Sequence, residues 1–192
     1  MMKTVKMIPL LLVTLLAAPV FAQSTANEVQ RNVNQQQRIE NGLKSGQLNT
    51  REAAKLEHEE AKVNRAEAHA LKDGKLSVTE KARIEKMQDK VSTDIHTEQT
   101  GNPNSTSSKR MQADVQRNVN QEKRIEAGVK NGSLTKREVA KLERGQARVD
   151  TKEAAAARDG HVGAAEQARV QRAENRQSRR IHREKHDAQH RA

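Results

Sequence analysis

Three histidines near the end of the chain have a spacing that could bind a metal ion. His182, His186 and His190 recur every four residues, so on a helix their rings lie on one face within about 80°. Neutral imidazoles four residues apart can chelate zinc, copper or nickel. Glu184 would lie on the far side of that helix, which separates the segment from the metalloprotease motif. The pattern allows weak Cu, Ni or Zn binding; the alternative is a solvated tail whose histidines gain charge in acid.

Basic side chains are concentrated in the same part of the chain. Residues 23–100 hold 13 basic and 13 acidic side chains, whereas residues 101–192 hold 21 basic and 12 acidic. An arginine-rich helix attracts phosphate groups through Coulomb forces and paired hydrogen bonds. The alternative is that these charges only keep a helix with few apolar residues in solution. The candidate anion-binding residues are Arg169, Arg172, Arg176, Arg179, Arg180, Arg183 and Lys185.

No motif in the sequence predicts catalysis. The sequence has neither the Gly-x-Ser-x-Gly nucleophile elbow nor a phosphate loop ending in Gly-Lys-Ser or Gly-Lys-Thr. Residues 69–80 have the length of an EF-hand calcium loop, but His69 and Leu71 stand where the first and third oxygen ligands belong. We therefore predict no catalytic residue and no cofactor, and we interpret the loop as a helix cap.

The composition excludes several further classes of protein. Among 192 residues there is no Cys, Trp or Tyr, and the single Phe is Phe21. Disulfide frameworks, cysteine metal sites and modules that stack bases on aromatic rings are thereby excluded, so no specific nucleic-acid partner is expected. With 33% apolar and 32% charged residues, any apolar core must be thin.

The N-terminus has the pattern of a signal peptide. Lys3 and Lys6 flank the start of an apolar run over residues 7–18, and Val20-Phe21-Ala22 supplies a recognisable cleavage sequence. About 12 apolar residues span only ~18 Å as a helix, too short for a hydrocarbon core of ~30 Å. We predict a signal peptide over residues 1–22, cleaved after Ala22, and a periplasmic or secreted protein with no integral membrane anchor. The alternative is an N-terminal anchor.

An internal duplication organises the rest of the chain. Residues 29–35 recur as residues 115–121, and this offset of 86 positions holds over 68 aligned positions with 33 identities. A segment rich in Gly, Pro, Asn and Ser lies between the copies and is typical of a linker. The predicted domains are a first unit over 23–98, a flexible linker over 99–112 and a second unit over 113–192.

Each unit contains three helical segments separated by turns of the form Gly-x-apolar. A short polar residue followed by Glu three positions later, as in Asn49/Glu52, Ser77/Glu80 and Thr135/Glu138, marks a helix start. The predicted helices cover 27–44, 50–72, 78–98, 113–130, 136–158 and 164–186. The predicted fold class is all-α, with two tandem three-helix antiparallel units. Because their cores are thin, we expect docking between the units, oligomers or partial melting.

Two stretches of the mature chain resemble known bacterial proteins. The Gly-x-Leu-Thr-x-x-Glu helix starts and the arginine-rich segment 175–181 resemble uncharacterised exported all-helical repeat proteins of bacteria. The segment Leu134-Thr135-Lys136-Arg137-Glu138 is similar, at motif level, to the Leu-Thr-x-x-Gln signature of Spy/CpxP-type periplasmic chaperones, with Glu138 in place of Gln. The second resemblance implies an all-helical stress protein that holds unfolded clients.

These observations predict a non-enzymatic exported helical protein. Its basic second unit would bind anionic polymers of the cell envelope, such as lipopolysaccharide, or protein partners. The alternative is a periplasmic metal-buffering or chaperone-like stress protein.

Overall fold

A computed structural model describes residues 20–101 and 105–187, which form six α-helices and no strand. The all-α prediction is confirmed. The helices are α1 (Val20–Ser45), α2 (Thr50–Ala70), α3 (Val78–Gly101), α4 (Lys109–Lys130), α5 (Lys136–Ala156) and α6 (Ala164–Lys185). Residues 1–19 of the predicted signal peptide lie outside the described residues, as does His190. No helix in the described ranges is long and apolar enough to cross a membrane.

Local capping chemistry sets the helix boundaries that the sequence predicts. Asn49 Oδ1 accepts the Glu52 N–H at 2.9 Å, and Glu52 Oε2 accepts the Asn49 N–H at 2.8 Å, so two otherwise unpaired donors are satisfied. Thr135 and Glu138 repeat this box at the start of α5. Gly46 ends the preceding turn at φ +78°, a left-handed conformation that glycine adopts without strain.

The connection between the two copies of the repeat is shorter than the predicted linker over 99–112. α3 continues to Gly101 and α4 begins at Lys109, because residues 99–101 and 109–112 contain no proline to interrupt a helix. Ser105 N donates to Gly46 O at 2.6 Å, and Ser107 Oγ donates to Leu43 O at 2.8 Å. The described part of the connection is therefore bonded to the last turn of α1 and to the loop that follows it.

Hydrogen bonds between the two halves of the chain occur in reciprocal pairs. Lys44 Nζ donates to Gln116 at 2.9 Å, and the residue 86 positions later, Lys130, donates to Gln30 at 2.8 Å. Asn64 Nδ2 also donates to Asp150 Oδ2, its own equivalent, at 2.8 Å. Residues at equivalent positions of the two halves can contact each other only close to a two-fold rotation axis. The halves therefore pack with approximate two-fold symmetry. α2 packs mainly on α5, and α1 on α4.

The core has three layers along the bundle. One apolar cluster includes Ile39 and Leu43 of α1 with Met111 and Val115 of α4, and the other joins Val29 to Ile125. Each cluster therefore takes residues from both halves, so the halves dock, which is one of the three outcomes that the thin cores require. Between the clusters, the middle segments of α1, α2, α4 and α5 bury mainly polar side chains.

Candidate functional sites: a basic face and a buried acidic layer

Five of the predicted anion-binding arginines form one exposed stripe on α6. Arg169, Arg172, Arg176, Arg179 and Arg183 are all exposed. Their alternating spacing of three and four residues places them within about 80° of one another around the helix. The stripe extends over fourteen residue steps, about 21 Å along the axis. Two buried carboxylates of α6 pair with basic residues of other helices: Glu174 with Arg117 at 3.1 Å and Glu184 with Lys141 at 3.2 Å.

The other two predicted residues are placed differently. Arg180 is half-buried and lines a groove between α5 and α6. Lys185 turns back towards α4, where its Nζ donates to Arg124 O at 3.1 Å. Burial and the nearby Arg124 charge lower the pKa of Lys185. The structure therefore groups Arg180 with the stripe and separates Lys185 from it.

Basic residues of α5, which sequence analysis did not single out, extend the stripe sideways. Arg148 and Lys152 line a groove of about 160 Å³ together with Arg176 and Arg180. Arg144 joins them along a second groove, of about 600 Å³, between α5 and α2. Neither groove has a carboxylate in its lining. We call this surface the basic face, and its members are Arg144, Arg148, Lys152, Arg169, Arg172, Arg176, Arg179, Arg180 and Arg183.

Burial separates the two signs of charge on α5 and α6. The buried acidic residues of these helices are Glu138, Glu143, Asp150, Glu153, Glu174 and Glu184. Their remaining acidic residue, Glu166, accepts the Gly163 N–H at 2.8 Å at the start of α6. The outer surface of these helices is therefore more positive than their net charge indicates. Counting charges along the sequence could not show this, because the count treats inward and outward carboxylates alike.

The equivalent surface on the first half of the chain has mixed charge. Arg83, Lys86 and Lys90 are exposed on α3 at the positions that correspond to Arg169, Arg172 and Arg176. They alternate with Asp89, which is exposed, and with Asp94, which pairs with Lys90. The basic face is therefore a property of the second half alone.

Two of the three candidate metal-binding histidines lie side by side. His182 and His186 are exposed, and their ring centroids are 4.2 Å apart. His186 Nδ1 lies 2.7 Å from His182 O, which favours a proton on Nδ1 and leaves Nε2 to face solvent. His190 lies outside the described residues. The described geometry thus offers two adjacent imidazoles to a soft or borderline cation.

A double substitution tests this pair. Replacing His182 and His186 by Ala is expected to weaken Cu²⁺, Ni²⁺ or Zn²⁺ binding at pH 7.5 by ~10-fold or more, because both ligands are removed. Isothermal titration calorimetry measures the change, with His58→Ala/His69→Ala as a control that removes two other exposed histidines. If the two double variants give the same binding curves, the His182/His186 pair is not a metal site.

The most unusual feature of the interior is a set of buried carboxylates that sequence analysis missed. We call these residues the acidic layer; they are Glu57, Glu60, Glu67, Glu122, Glu143, Asp150 and Glu153, each at most 1% exposed. They lie in the middle layer of the core, between the two apolar clusters. A signal was present in the sequence, because buried Glu57 and Glu67 recur 86 positions later as Glu143 and Glu153.

Amide side chains hold several of these carboxylates in place. Asn118 Nδ2 donates to Asp150 at 3.0 Å and to Glu153 at 2.8 Å. Gln36 Nε2 donates to Glu57 Oε2 at 3.0 Å. Hydrogen bonds of this kind orient the acidic groups but do not remove the free-energy cost of burying their charge.

Burial raises the pKa of every carboxyl group in the layer. Desolvation is the main cause for Glu57, whose pKa rises to about 7, and for Glu122, whose pKa rises to about 8. For Glu60 and Glu143, the charges of neighbouring carboxylates add to desolvation and raise the pKa well above its ordinary value. The layer is therefore driven to take up positive charge, either protons or a cation.

Among the residues that the structure describes, two groups of carboxylates bring their oxygens within 4.8 Å of one another. Glu57, Asp150 and Glu153 form the first, inside the acidic layer. The second group includes Glu138 and Glu184, but Glu138 caps α5 and Glu184 accepts from Lys141 Nζ at 3.2 Å. Only the first group combines burial with unpartnered oxygens on two of its members.

Comparison with protein-family models, curated proteins and solved structures finds no match for this chain. The arrangement of its own side chains therefore has to carry the functional inference.

Proposed function

We propose that the protein is an exported, non-enzymatic helical protein that holds anionic polymers of the cell envelope against its basic face. The observation that carries this proposal is the alignment of five exposed arginines on α6 beside three basic residues of α5, with the acidic residues of both helices buried or used as caps. A continuous field of one sign attracts a polyanion over several ångströms, and each guanidinium can bind a phosphate or sulfate through two N–H groups.

The shape of the basic face supports an elongated ligand. The stripe on α6 and the row Arg144, Arg148 and Lys152 on α5 follow neighbouring helices, with shallow grooves beside them. These grooves carry no Phe, Tyr or Trp side chain, because α2, α5 and α6 contain none. The surface can therefore bind a charged backbone without stacking on bases, which favours a phosphorylated or sulfated polymer over a specific nucleic-acid sequence.

Matched triple substitutions test the proposal. Arg169→Gln/Arg172→Gln/Arg176→Gln is expected to weaken binding to lipopolysaccharide or heparin by ~10-fold or more at low salt. The slope of log K against log salt concentration should fall by about 2 to 3, because three phosphate contacts are lost. Titration calorimetry over a series of salt concentrations gives both quantities.

The control substitutes the three basic residues at equivalent positions in the other half of the chain. Arg83→Gln/Lys86→Gln/Lys90→Gln removes the same net charge from the matching positions on α3. This variant should retain affinity within about 2-fold, since it leaves the basic face intact. Equal losses in the two triple variants would mean that only net charge matters, and the basic face would then not be a binding site.

A further inference from the structure

The acidic layer leaves many hydrogen-bond acceptors without donors. Within the described residues, no donor reaches Oε1 of Gln36, Glu57, Gln146 or Glu153, nor either carboxylate oxygen of Glu60 or Glu143. Glu60 is 1% exposed, and among neighbouring charges those of Glu57 and Asp150 raise its pKa most. Its two unpartnered oxygens therefore belong to the same polar centre. Two of the unpartnered oxygens of this centre belong to neutral amides and the others to carboxyl groups. A protonated carboxyl group can donate a hydrogen bond to some of them. A cation accepts lone pairs from both kinds of oxygen.

The geometry of three carboxylates matches a single ion. One oxygen each from Glu57, Asp150 and Glu153 lies within 4.8 Å of the others. Two oxygens on opposite sides of Ca²⁺ are about 4.6 to 5.2 Å apart, and oxygens on adjacent sides are closer, so one ion can touch all three. Glu57 Oε1 and Glu153 Oε1 have no other partner, while Gln36 and Asn118 hold the second oxygens of these residues.

We propose that Glu57, Asp150 and Glu153 bind one hard divalent cation of the Ca²⁺ or Mn²⁺ class at the centre of the bundle. All of the available donors are carboxylate or amide oxygens, which favour hard cations over zinc or copper. Metal binding requires deprotonated carboxylates, so protons compete with the ion and its affinity falls as the pH falls.

The two-fold relation between the halves explains why only one such triad forms in the described bundle. With the offset of 86 positions, Glu57 corresponds to Glu143, Asp150 to Asn64 and Glu153 to Glu67. Asn64 supplies a neutral amide where Asp150 supplies a carboxylate, so the equivalent group has two carboxylates and not three. The helices enclose the triad, so the ion is taken up as the bundle forms.

The test is refolding of the full-length protein at pH 7.5 with Ca²⁺, Mn²⁺ or EDTA. The expected result is one retained divalent ion per chain after desalting, measured by elemental analysis. We also expect a Tm at least about 5 °C higher with the ion than with EDTA. If no ion is retained and the Tm is the same with and without EDTA, the cation site does not exist.

Two substitutions at equivalent positions locate the site. Glu153→Gln should abolish ion retention and the cation-dependent rise in Tm, whereas Glu67→Gln should keep both. Glu153→Gln should fold in EDTA, because it removes a buried charge and not a donor. Should it fail to fold, Asp150→Asn replaces it, since this change introduces the side chain that Asn64 provides at the equivalent position. Ion retention by all of the triad variants would overturn the assignment.

Discussion

Separating the two halves of the chain, as residues 1–103 and 104–192, is expected to cost each half most of its helical structure. Each apolar cluster takes residues from both halves, and α2 packs mainly on α5. A lone half would expose Leu56 and Ile39 to water together with the buried carboxylates, and its remaining core is too small to offset the loss of chain entropy. Circular dichroism of the separate and mixed halves measures the effect, and mixing should restore a helical 1:1 complex.

A lengthened connection serves as the control for the split chain. Inserting ten Gly and Ser residues after residue 103 keeps both halves on one chain. Loop entropy grows slowly, by about 0.6 kcal/mol for each doubling of loop length, so this variant should remain folded. If each half alone were monomeric, fully helical and as heat-stable as the intact protein, the docking of the halves would contribute nothing to the fold.

The free energy of unfolding is expected to fall as the pH rises from about 5 to about 8 when divalent ions are chelated. The buried carboxyl group of Glu122 has its pKa raised to about 8, from an ordinary value of 4.5, chiefly by desolvation. The folded state therefore keeps a proton that the unfolded chain releases near pH 4.5. This contribution to stability is fully present below that pH and is lost as the pH rises through about 8.

Glu122→Gln should remove this dependence at one position. Gln36 already occupies the equivalent place in the first half, so the amide fits the layer. The substitution is expected to raise the Tm at pH 8 by about 4 °C or more, since relieving one buried charge contributes on the order of 2 kcal/mol, and to flatten the pH profile. Thermal unfolding in EDTA between pH 5 and pH 8.5 gives the measurement.

A surface carboxylate provides the comparison. Glu59 is partly exposed on α2 and pairs with Lys62 at 2.7 Å. Glu59→Gln should leave the pH profile of the wild type unchanged, because a surface ion pair contributes only about 0–1 kcal/mol. A wild-type Tm that rises steadily from pH 5 to pH 8 in EDTA would contradict the assignment of protons to the acidic layer.

Local sequence predicted the helices well because local interactions form their ends. Five of the six observed helices begin within four residues of the predicted start, and α2, α3, α5 and α6 begin at the predicted residue. The capping boxes and turn glycines act within a few residues of chain, so no knowledge of distant contacts is needed. The start of α1 differs most, since the described helix already includes Val20, seven residues before the predicted start at residue 27.

The apolar periodicity also identified core residues correctly, but it could not find the acidic layer. Val29, Val33, Ile39 and Leu43 lie on one predicted face of α1, and all four are buried. On α2, by contrast, the apolar seam through Leu56 and Val63 is narrow, and Glu57 and Glu60 lie beside it. Hydrophobic patterning places such glutamates at a solvated edge. They are buried only because α5 packs against α2 from the other half of the chain.

The sequence by itself determined the helices, the duplication and the row of arginines along α6, because each of these depends on residue type and spacing within a short segment. Only the tertiary structure decided which carboxylates face inward and which basic residues of α5 lie beside the α6 stripe. The physical reason is that burial depends on residues distant in sequence. The approximate two-fold docking of the halves turns acidic side chains into the bundle and leaves the arginines outside, and neither a charge count nor a periodicity contains that docking.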